Sequence, residues 1–247
     1  MHLPRVAVPM ALARLHWALA PGAPLMLSVS RGDSEGPYPD DDIPGRFFCL
    51  WQPDGLADAL TGAGFDVLAI DEEDRSLFAT ARRMRSLPDT VGPGMRVLVC
   101  GLNPSQVAAD AGYGFAGATN RFWAAALESG LVSSAGRPLS ALLVDRVGMT
   151  DLVKRATPRS ALVGTHEYRA GLGRLSRLVA WLRPEAVCLV GLEGWRAAVD
   201  RSARPGWQPG GIDGMPAYLM PSTSGANARV GLAELVEHLR QVQSPAP

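Results

Sequence analysis

The sequence predicts an α/β protein: a three-layer αβα sandwich around a mostly parallel central sheet, preceded by a smaller α/β segment. Three observations predict it. From residue 96 onward, short apolar runs alternate with stretches that are apolar at helical spacing, the pattern of strand–helix–strand units whose helices cover both faces of a sheet. Runs such as VLVC and AVCLV read as buried strands. Hydrophobic residues make up 47% of a 247-residue chain, enough for one large domain with a proper core and a further fragment.

The elements follow in order. Residues 5–20 are apolar at helical spacing (Val6, Met10, Leu12, Leu15, Leu19), and Pro21-Gly22 stops that helix. LMLSVS at 25–30 is expected as a strand, followed by an acidic Gly/Pro loop and a short strand at FFCLW. Helix QPDGLADALTGAG and strand FDVLAID complete a half sheet. Residues 72–95 are expected as a helix carrying Arg82, Arg83 and Arg85, then a Pro/Gly linker. Those arginines suit a solvated face or a nucleic-acid contact. The expected domains are 1–85 and 86–247. In the second, strands are predicted at 96–102, 186–192 and 217–222, with the segment GMTDLV at 148–153 between the irregular stretch and the next helix. Helices are predicted at 120–130, 168–184, 193–201 and 230–243, with irregular chain after 130 and a Gly/Pro loop before 217.

Several function classes drop out. No run of 18 apolar residues exists, so no membrane span is expected. Arg5, Arg14 and His16 interrupt the N-terminal apolar stretch, which is not a signal-peptide layout; a cytoplasmic, nucleoid-associated location is expected. Cys49, Cys100 and Cys188 are far apart and cannot supply a four-cysteine iron–sulfur site. The four histidines show no metal-ligand spacing, so neither metal nor cofactor is expected. Residues 1–85 carry a net charge of −4 and residues 86–247 a net +4, a balance compatible with phosphate contacts. Lys154 is the only lysine, so any Schiff-base chemistry would rest on it alone.

Two loops carry the chemistry. In open parallel sheets, ligands sit beyond the carboxyl ends of the strands. GLNPSQVAADAGYGFAGATNRFW follows one predicted strand and MPSTSGANAR follows another. Both are rich in Gly, Ser and Asn, and both run into helices.

GLNPS with GYGFAGATNRFW resembles the first motif of the mismatch-specific uracil/thymine DNA glycosylases, and MPSTSGANAR resembles their second. GMTDLVKRAT and AVCLVGL match that family in order, so the likeness covers about residues 92–242. The N-terminal segments LHWALAPGAPLMLSVSRGDSEG, PGRFFCLW and LADALTGAGFDVLAI resemble the C-terminal part of a class I S-adenosylmethionine-dependent methyltransferase. The Gly-rich cofactor loop of that family has no counterpart here, which implies a remnant that does not bind the cofactor by itself.

The glycosylase resemblance implies roles residue by residue. Asn103 matches the water-positioning asparagine; its other reading is a turn residue after a strand. Hydrolysis of an N-glycosidic bond needs no covalent nucleophile: one water is held below the anomeric carbon and the departing base is hydrogen-bonded. A neutral Asn offers a carbonyl and an amide for both tasks. Pro104 stiffens the corner, and backbone N–H groups around Leu102 to Ser105 could serve the leaving base. Phe115 matches the aromatic that stacks on the flipped base, with Tyr113 beside it; the other reading of Phe115 is core packing. Ala108 falls where a small residue admits a 5-methyl group, so rejection of thymine is not expected. Asp110 departs from the family pattern, and is a candidate base or cation-stabilising group, or else a cap. Asn120 and Arg121 are expected to anchor the following helix, with Trp123 in the core. In the second motif Ser224, Gly225, Ala226 and Asn227 form the tip that enters the duplex. Ser222 and Ser224 are candidate phosphate ligands, and Arg229 aligns with a basic residue that approaches DNA, its other reading being a surface salt bridge.

The expected activity is therefore a monofunctional glycosylase acting as a monomer on double-stranded DNA with a mispaired or damaged base. The alternatives are a non-catalytic nucleic-acid-binding module and a methyltransferase-related protein with an accessory glycosylase-like half.

Overall fold

The computed structural model describes residues 2–37 and 42–244. The expected acidic loop falls partly outside them, at 38–41. The chain divides into two compact units, Met1–Asp89 and Thr90–Pro247.

In the first unit, α1 (Val8–Ala18) begins with a proline in its first turn and buries Val8, Leu12, Ala13 and His16. β1 (Pro24–Ser30) follows, then the short ribbon strands β2 (Glu35–Pro37) and β3 (Phe47–Cys49), helix α2 (Pro53–Gly62), β4 (Phe65–Glu73) and β5 (Ser76–Arg83). The last of these corrects the sequence expectation of a helix. SLFATARR alternates, with Leu77, Ala79 and Ala81 buried and Phe78 and Arg82 exposed, which is a period of two rather than 3.6. Asp74 takes a left-handed φ of 48° and reverses the chain, a conformation Asp tolerates better than most residues. β5 is then the middle strand of an antiparallel sheet ordered β1-β5-β4. The strand pairings β1-β5 and β4-β5 are both antiparallel. The expected charged helix face is corrected with it: Arg83 Nε donates to the His16 carbonyl at 2.8 Å.

The second unit is built on a five-stranded sheet ordered β7-β6-β8-β10-β9. Its strands are β6 (Val97–Gly101), β7 (Val147–Asp151), β8 (Ala186–Val190), β9 (Gly206–Ile212) and β10 (Met215–Met220). β6, β7, β8 and β10 are parallel, and β9 joins antiparallel at the edge. All five residues of β6 and of β8 are buried; each such Val or Leu contributes on the order of 1.5–3 kcal/mol. β9 was expected as loop. GWQPGGI carries a proline and three glycines, which read as turn chemistry, but an edge strand tolerates Pro because its outward N–H needs no partner.

Helices cover both faces. α3 (Gln106–Ala111), α4 (Phe122–Glu128), α5 (Pro138–Leu143), α6 (Thr165–Leu182), α7 (Glu193–Ala198) and α8 (Leu232–Gln241) complete the unit. Val97, Val99, Val147 and Met149 face the same core as Phe122 of α4 and Leu235 of α8. The alternate residue Thr150 meets Arg174 of α6 on the other face. α3 and α5 arise in segments expected to be irregular; both are six residues long, too short to show helical periodicity. No helix of the described residues is long and apolar enough to cross a membrane.

Candidate active site

The two motif loops leave the carboxyl ends of β6 and β10, which are separated in the sheet by β8 alone. The first loop turns at Asn103. Its side-chain Nδ2 lies 3.1 Å from Pro104 O, 3.0 Å from Arg155 O and 2.8 Å from Thr157 Oγ1. Two of these are carbonyl oxygens, which only accept. The third is also an acceptor here, because the Thr157 hydroxyl is donated to Arg159 O at 2.9 Å. The NH2 group must therefore point at all three. Asn103 Oδ1 is left facing the other way, and among the described residues it accepts no hydrogen bond.

This orientation narrows the sequence expectation. The carbonyl of Asn103 is available to a water, while its amide hydrogens are committed to the 155–157 segment. That segment is itself fastened. Thr157 N donates to Pro104 O at 3.1 Å and Val153 N to Leu102 O at 2.9 Å. Arg155 makes a two-point pair with Glu167 of α6, at 2.8 Å from both Nε and Nη2. Glu167 also accepts from Gly164 N at 2.8 Å. The Arg155 guanidinium first, and the Gly164 amide second, pull the Glu167 carboxyl down to about 2.

The other residues of the first loop divide by exposure. Pro104 and Ala108 are buried, Leu102 is half-buried, and Ser105 is the N-cap of α3, its Oγ accepting from Ala108 N at 3.1 Å. Asp110 is exposed near the end of α3. Tyr113 is half-buried and meets Trp123 edge-on at 6.4 Å. Phe115 stacks on Phe122, with centroids 4.1 Å apart and planes 22° off parallel. Its φ is +60°. A bulky residue in the left-handed region is strained by about 1–3 kcal/mol, and such strain concentrates at functional sites.

The second loop is held by Arg121. Its backbone N donates to Thr223 O at 3.0 Å. Its guanidinium donates to the carbonyls of Asn227 at 2.8 Å, Ser224 at 3.2 Å and Val230. Local bonds finish the loop: Asn227 Nδ2 to Ser222 O at 3.0 Å, Ser224 N to Ser222 Oγ at 3.3 Å and Ala226 N to Ser224 Oγ at 3.3 Å. A Cβ on Gly225 would lie 2.5 Å from Thr119 Oγ1, so the tip rests directly on the end of the first loop. Ala226 and Arg229 are exposed, and Arg229 makes no ion pair among the described residues. Asn227 is turned inward by its bond to Ser222, and the hydroxyls of Ser222 and Ser224 both cap turns of the loop.

Sequence reasoning missed three groups: the Arg155–Thr157 segment that orients Asn103, Arg121 as the clamp on the second loop, and Asp151. Lys154, distant from both motifs in sequence, is buried in the segment fastened to Asn103. Asp151 ends β7 opposite Gly101 in the register, and a Cβ on Gly101 would stand 2.5 Å from its Oδ1. The signal was present in GMTDLV, where a strand of buried residues ends in a carboxylate. A cavity of about 420 Å³ lies elsewhere, on the β9–β10 hairpin between Trp207 and Ala217, toward the amino end of β10 and away from both loops.

Comparison with known proteins bears on this arrangement. The chain is similar to a solution NMR structure of a protein from Methanosarcina acetivorans provisionally described as a uracil DNA glycosylase, with 18% identity and a TM-score of 0.45, over 65% of this chain and 98% of that one. A family model described as the uracil DNA glycosylase superfamily matches residues 88–242. With both motif loops and the sheet that carries them inside that match, the chain belongs to the uracil DNA glycosylase superfamily.

Proposed function

We propose that this protein is a monofunctional DNA glycosylase that hydrolyses the N-glycosidic bond of uracil mispaired with guanine, with thymine or damaged pyrimidines as further substrates. The observation that carries the proposal is the orientation of Asn103. Its amide is tied down by acceptors on three sides, which leaves one carbonyl oxygen to hold a water against an anomeric carbon.

The chemistry then runs as follows. The target nucleotide is extruded from the duplex at a cost of a few kcal/mol, and its base stacks on the face of Phe115 turned away from Phe122. The bond between C1′ and the base nitrogen breaks, with its electron pair going to the base. The water held by Asn103 Oδ1 adds its oxygen to the cationic C1′, and the proton it releases neutralises the base anion. Since the Asn103 amide is committed to the protein, backbone N–H groups around Leu102 to Ser105 stabilise the departing base. The tip from Ser224 to Asn227 occupies the gap in the duplex, and Arg229 meets phosphate. The product is an abasic site in double-stranded DNA. Asp110 is the second candidate for a catalytic role, as a base or as support for the cationic sugar.

The test is base release from a labelled duplex with one G·U pair, by wild type, Asn103→Ala, Asp110→Ala and the double variant. Loss with Asn103→Ala alone supports the water-holding role and reduces Asp110 to a surface group. Release that survives Asn103→Ala but fails with Asp110→Ala moves the role to the carboxylate. Binding without release by wild type, from G·U and G·T alike, sinks the enzymatic proposal. The N-terminal unit enters as an accessory that binds no S-adenosylmethionine by itself; a calorimetric titration showing tight binding would overturn that part.

A further inference from the structure

A third segment reaches the same edge of the sheet. After β7 the chain runs through the segment fastened to Asn103 and then makes one exposed turn before α6. Residues 158–162 of that turn are all exposed, yet the turn is not loose. Ser105 and Thr157 form an isolated bridge at its start. Thr157 Oγ1 donates to Arg159 O at 2.9 Å, Arg155 Nη2 to Leu162 O at 3.0 Å and Tyr168 Oη to Ser160 O at 3.4 Å. Within the turn, Leu162 N donates to Arg159 O at 3.1 Å and Val163 N to Ser160 O at 2.9 Å. These bonds engage the backbone and leave two side chains outside. Leu162 is 55% exposed, while Val163 beside it is buried. Arg159 makes no ion pair among the described residues, and Glu167 at the start of α6 is already committed to Arg155 and Gly164. An exposed leucine is ordinary by itself. Here it stands with an unpaired cation on a fixed turn that is bonded to the Asn103 corner.

We infer that residues 158–162 form a further duplex-contacting element, in which Arg159 meets a backbone phosphate and Leu162 packs against the sugars of the strand, on the side of the extruded nucleotide away from the second loop. This rests on the glycosylase reading and deepens it by naming where the flank of the substrate is held. In the sheet order β7-β6-β8-β10-β9, the Asn103 corner follows β6. It stands between the 158–162 turn, which follows β7, and the second loop, which follows β10. β7 and β10 are three strand spacings apart, about 14 Å, or roughly four base steps at 3.4 Å each. A duplex laid along this edge with its extruded nucleotide at Asn103 meets the second loop on one side and the turn on the other. The tip of the second loop offers only the small side chains of Ser224, Gly225 and Ala226, so Leu162 supplies an apolar contact that the tip lacks. Asn103 Nδ2 donates to Arg155 O and to Thr157 Oγ1, so the turn and the water-holding corner share one framework. A duplex seated on the turn is thereby placed in register with Asn103 Oδ1.

The two contacts differ in physics, and the experiment separates them. A phosphate contact releases counterions and weakens with salt, whereas an apolar contact follows buried area. Wild type, Arg159→Ala and Leu162→Ala are titrated by fluorescence anisotropy, over a series of salt concentrations, against a duplex with one G·U pair whose target sugar carries a 2′-fluoro group to block hydrolysis. Arg159→Ala is expected to reduce the slope of log affinity against log salt by about one. Leu162→Ala is expected to lower affinity about tenfold, by the same factor at every salt concentration. A single methylphosphonate walked along each strand locates the phosphate: the position met by Arg159 weakens wild type and leaves Arg159→Ala unchanged. Both side chains are exposed, so the melting temperatures should stay with wild type. An unchanged salt slope in Arg159→Ala, or full affinity in Leu162→Ala, overturns the inference and leaves the glycosylase reading in place. A wild type that neither binds the duplex nor releases uracil overturns the glycosylase reading, and the inference with it.

Discussion

The two loops at the carboxyl edge of the sheet are held in opposite ways. The first is held from within, by its own candidate water-holding residue: the amide of Asn103 makes the bonds that fix the corner, and the same bonds aim its carbonyl. The second is held from outside: Arg121, which belongs to the end of the first loop, gathers its carbonyls, and the tip itself shows small side chains to solvent. A group that must hold one water to a fraction of an ångström gains from being part of its own scaffold. A segment that must enter a duplex needs only to be presented in the right place. On this comparison, damage to the first loop alters the chemical step, and damage to the clamp on the second alters binding.

The largest effect is expected at Asn103. Asn103→Ala should lower single-turnover base release on the order of 10²–10⁴-fold, with affinity for the duplex kept within a few-fold. Asn103→Asp sharpens the point. It places an oxygen against the carbonyls of Pro104 and Arg155, so its thermal midpoint should fall below that of Asn103→Ala. Equal midpoints would mean that the amide is not oriented as described.

Next comes Arg121. Arg121→Ala leaves three carbonyls without their donor, and bonds to charged groups are worth about 1.5–3 kcal/mol each. The second loop should loosen, with duplex affinity falling about tenfold or more, read by fluorescence anisotropy, while the rate at saturating enzyme changes less. A rate loss as large as that of Asn103→Ala would erase the distinction between the loops. Thr157→Val is a smaller change on the first loop. It removes the one side-chain acceptor of Asn103 and keeps the two carbonyls, so a loss of about tenfold in rate is expected, for a bond worth about 1.4 kcal/mol. Affinity should not move.

Much of this site was legible in the sequence, and the rest was hidden for physical reasons. The buried strands VLVCG and AVCLV declare themselves by composition, and the loops that follow them by their Gly, Pro and Asn content. Asn103 and Phe115 stand out as candidates because the motifs around them resemble those of a glycosylase loop, and their roles remain proposals. β5 was misread because SLFATARR has two arginines and three small residues, and its period of two emerges only once β1 and β4 lie on either side. β9 was misread because Pro and Gly signal turns unless the strand lies at an edge. Arg155 and Thr157 could not be assigned, since nothing in KRAT shows that its backbone lies against a residue 52 positions earlier. Asp151 and Gly101 likewise acquire meaning only through register, as each looks ordinary until the other is beside it.

The smallest effect concerns the outermost support of the first loop, the Arg155–Glu167 pair. Glu167 is held at about 2, below its ordinary 4.5, so ionised Glu167 is favoured in the folded state. The stability it contributes is present in full above its unfolded value and disappears as pH falls from about 4.5 to about 2. The Arg155 side chain is 51% exposed, and solvent screening keeps the contribution small. Glu167→Gln should therefore melt slightly below wild type at neutral pH, and the two should converge as the solution is acidified toward pH 2. The base-release rate should fall only by a few-fold, because Arg155 acts on Asn103 through its backbone carbonyl, which Thr157 N to Pro104 O helps to hold even without the ion pair. A gap in melting temperature that persists unchanged in acid would show that the carboxylate is not the group being lost. A rate loss rivalling Thr157→Val would show that the first loop depends on its surroundings as much as the second does.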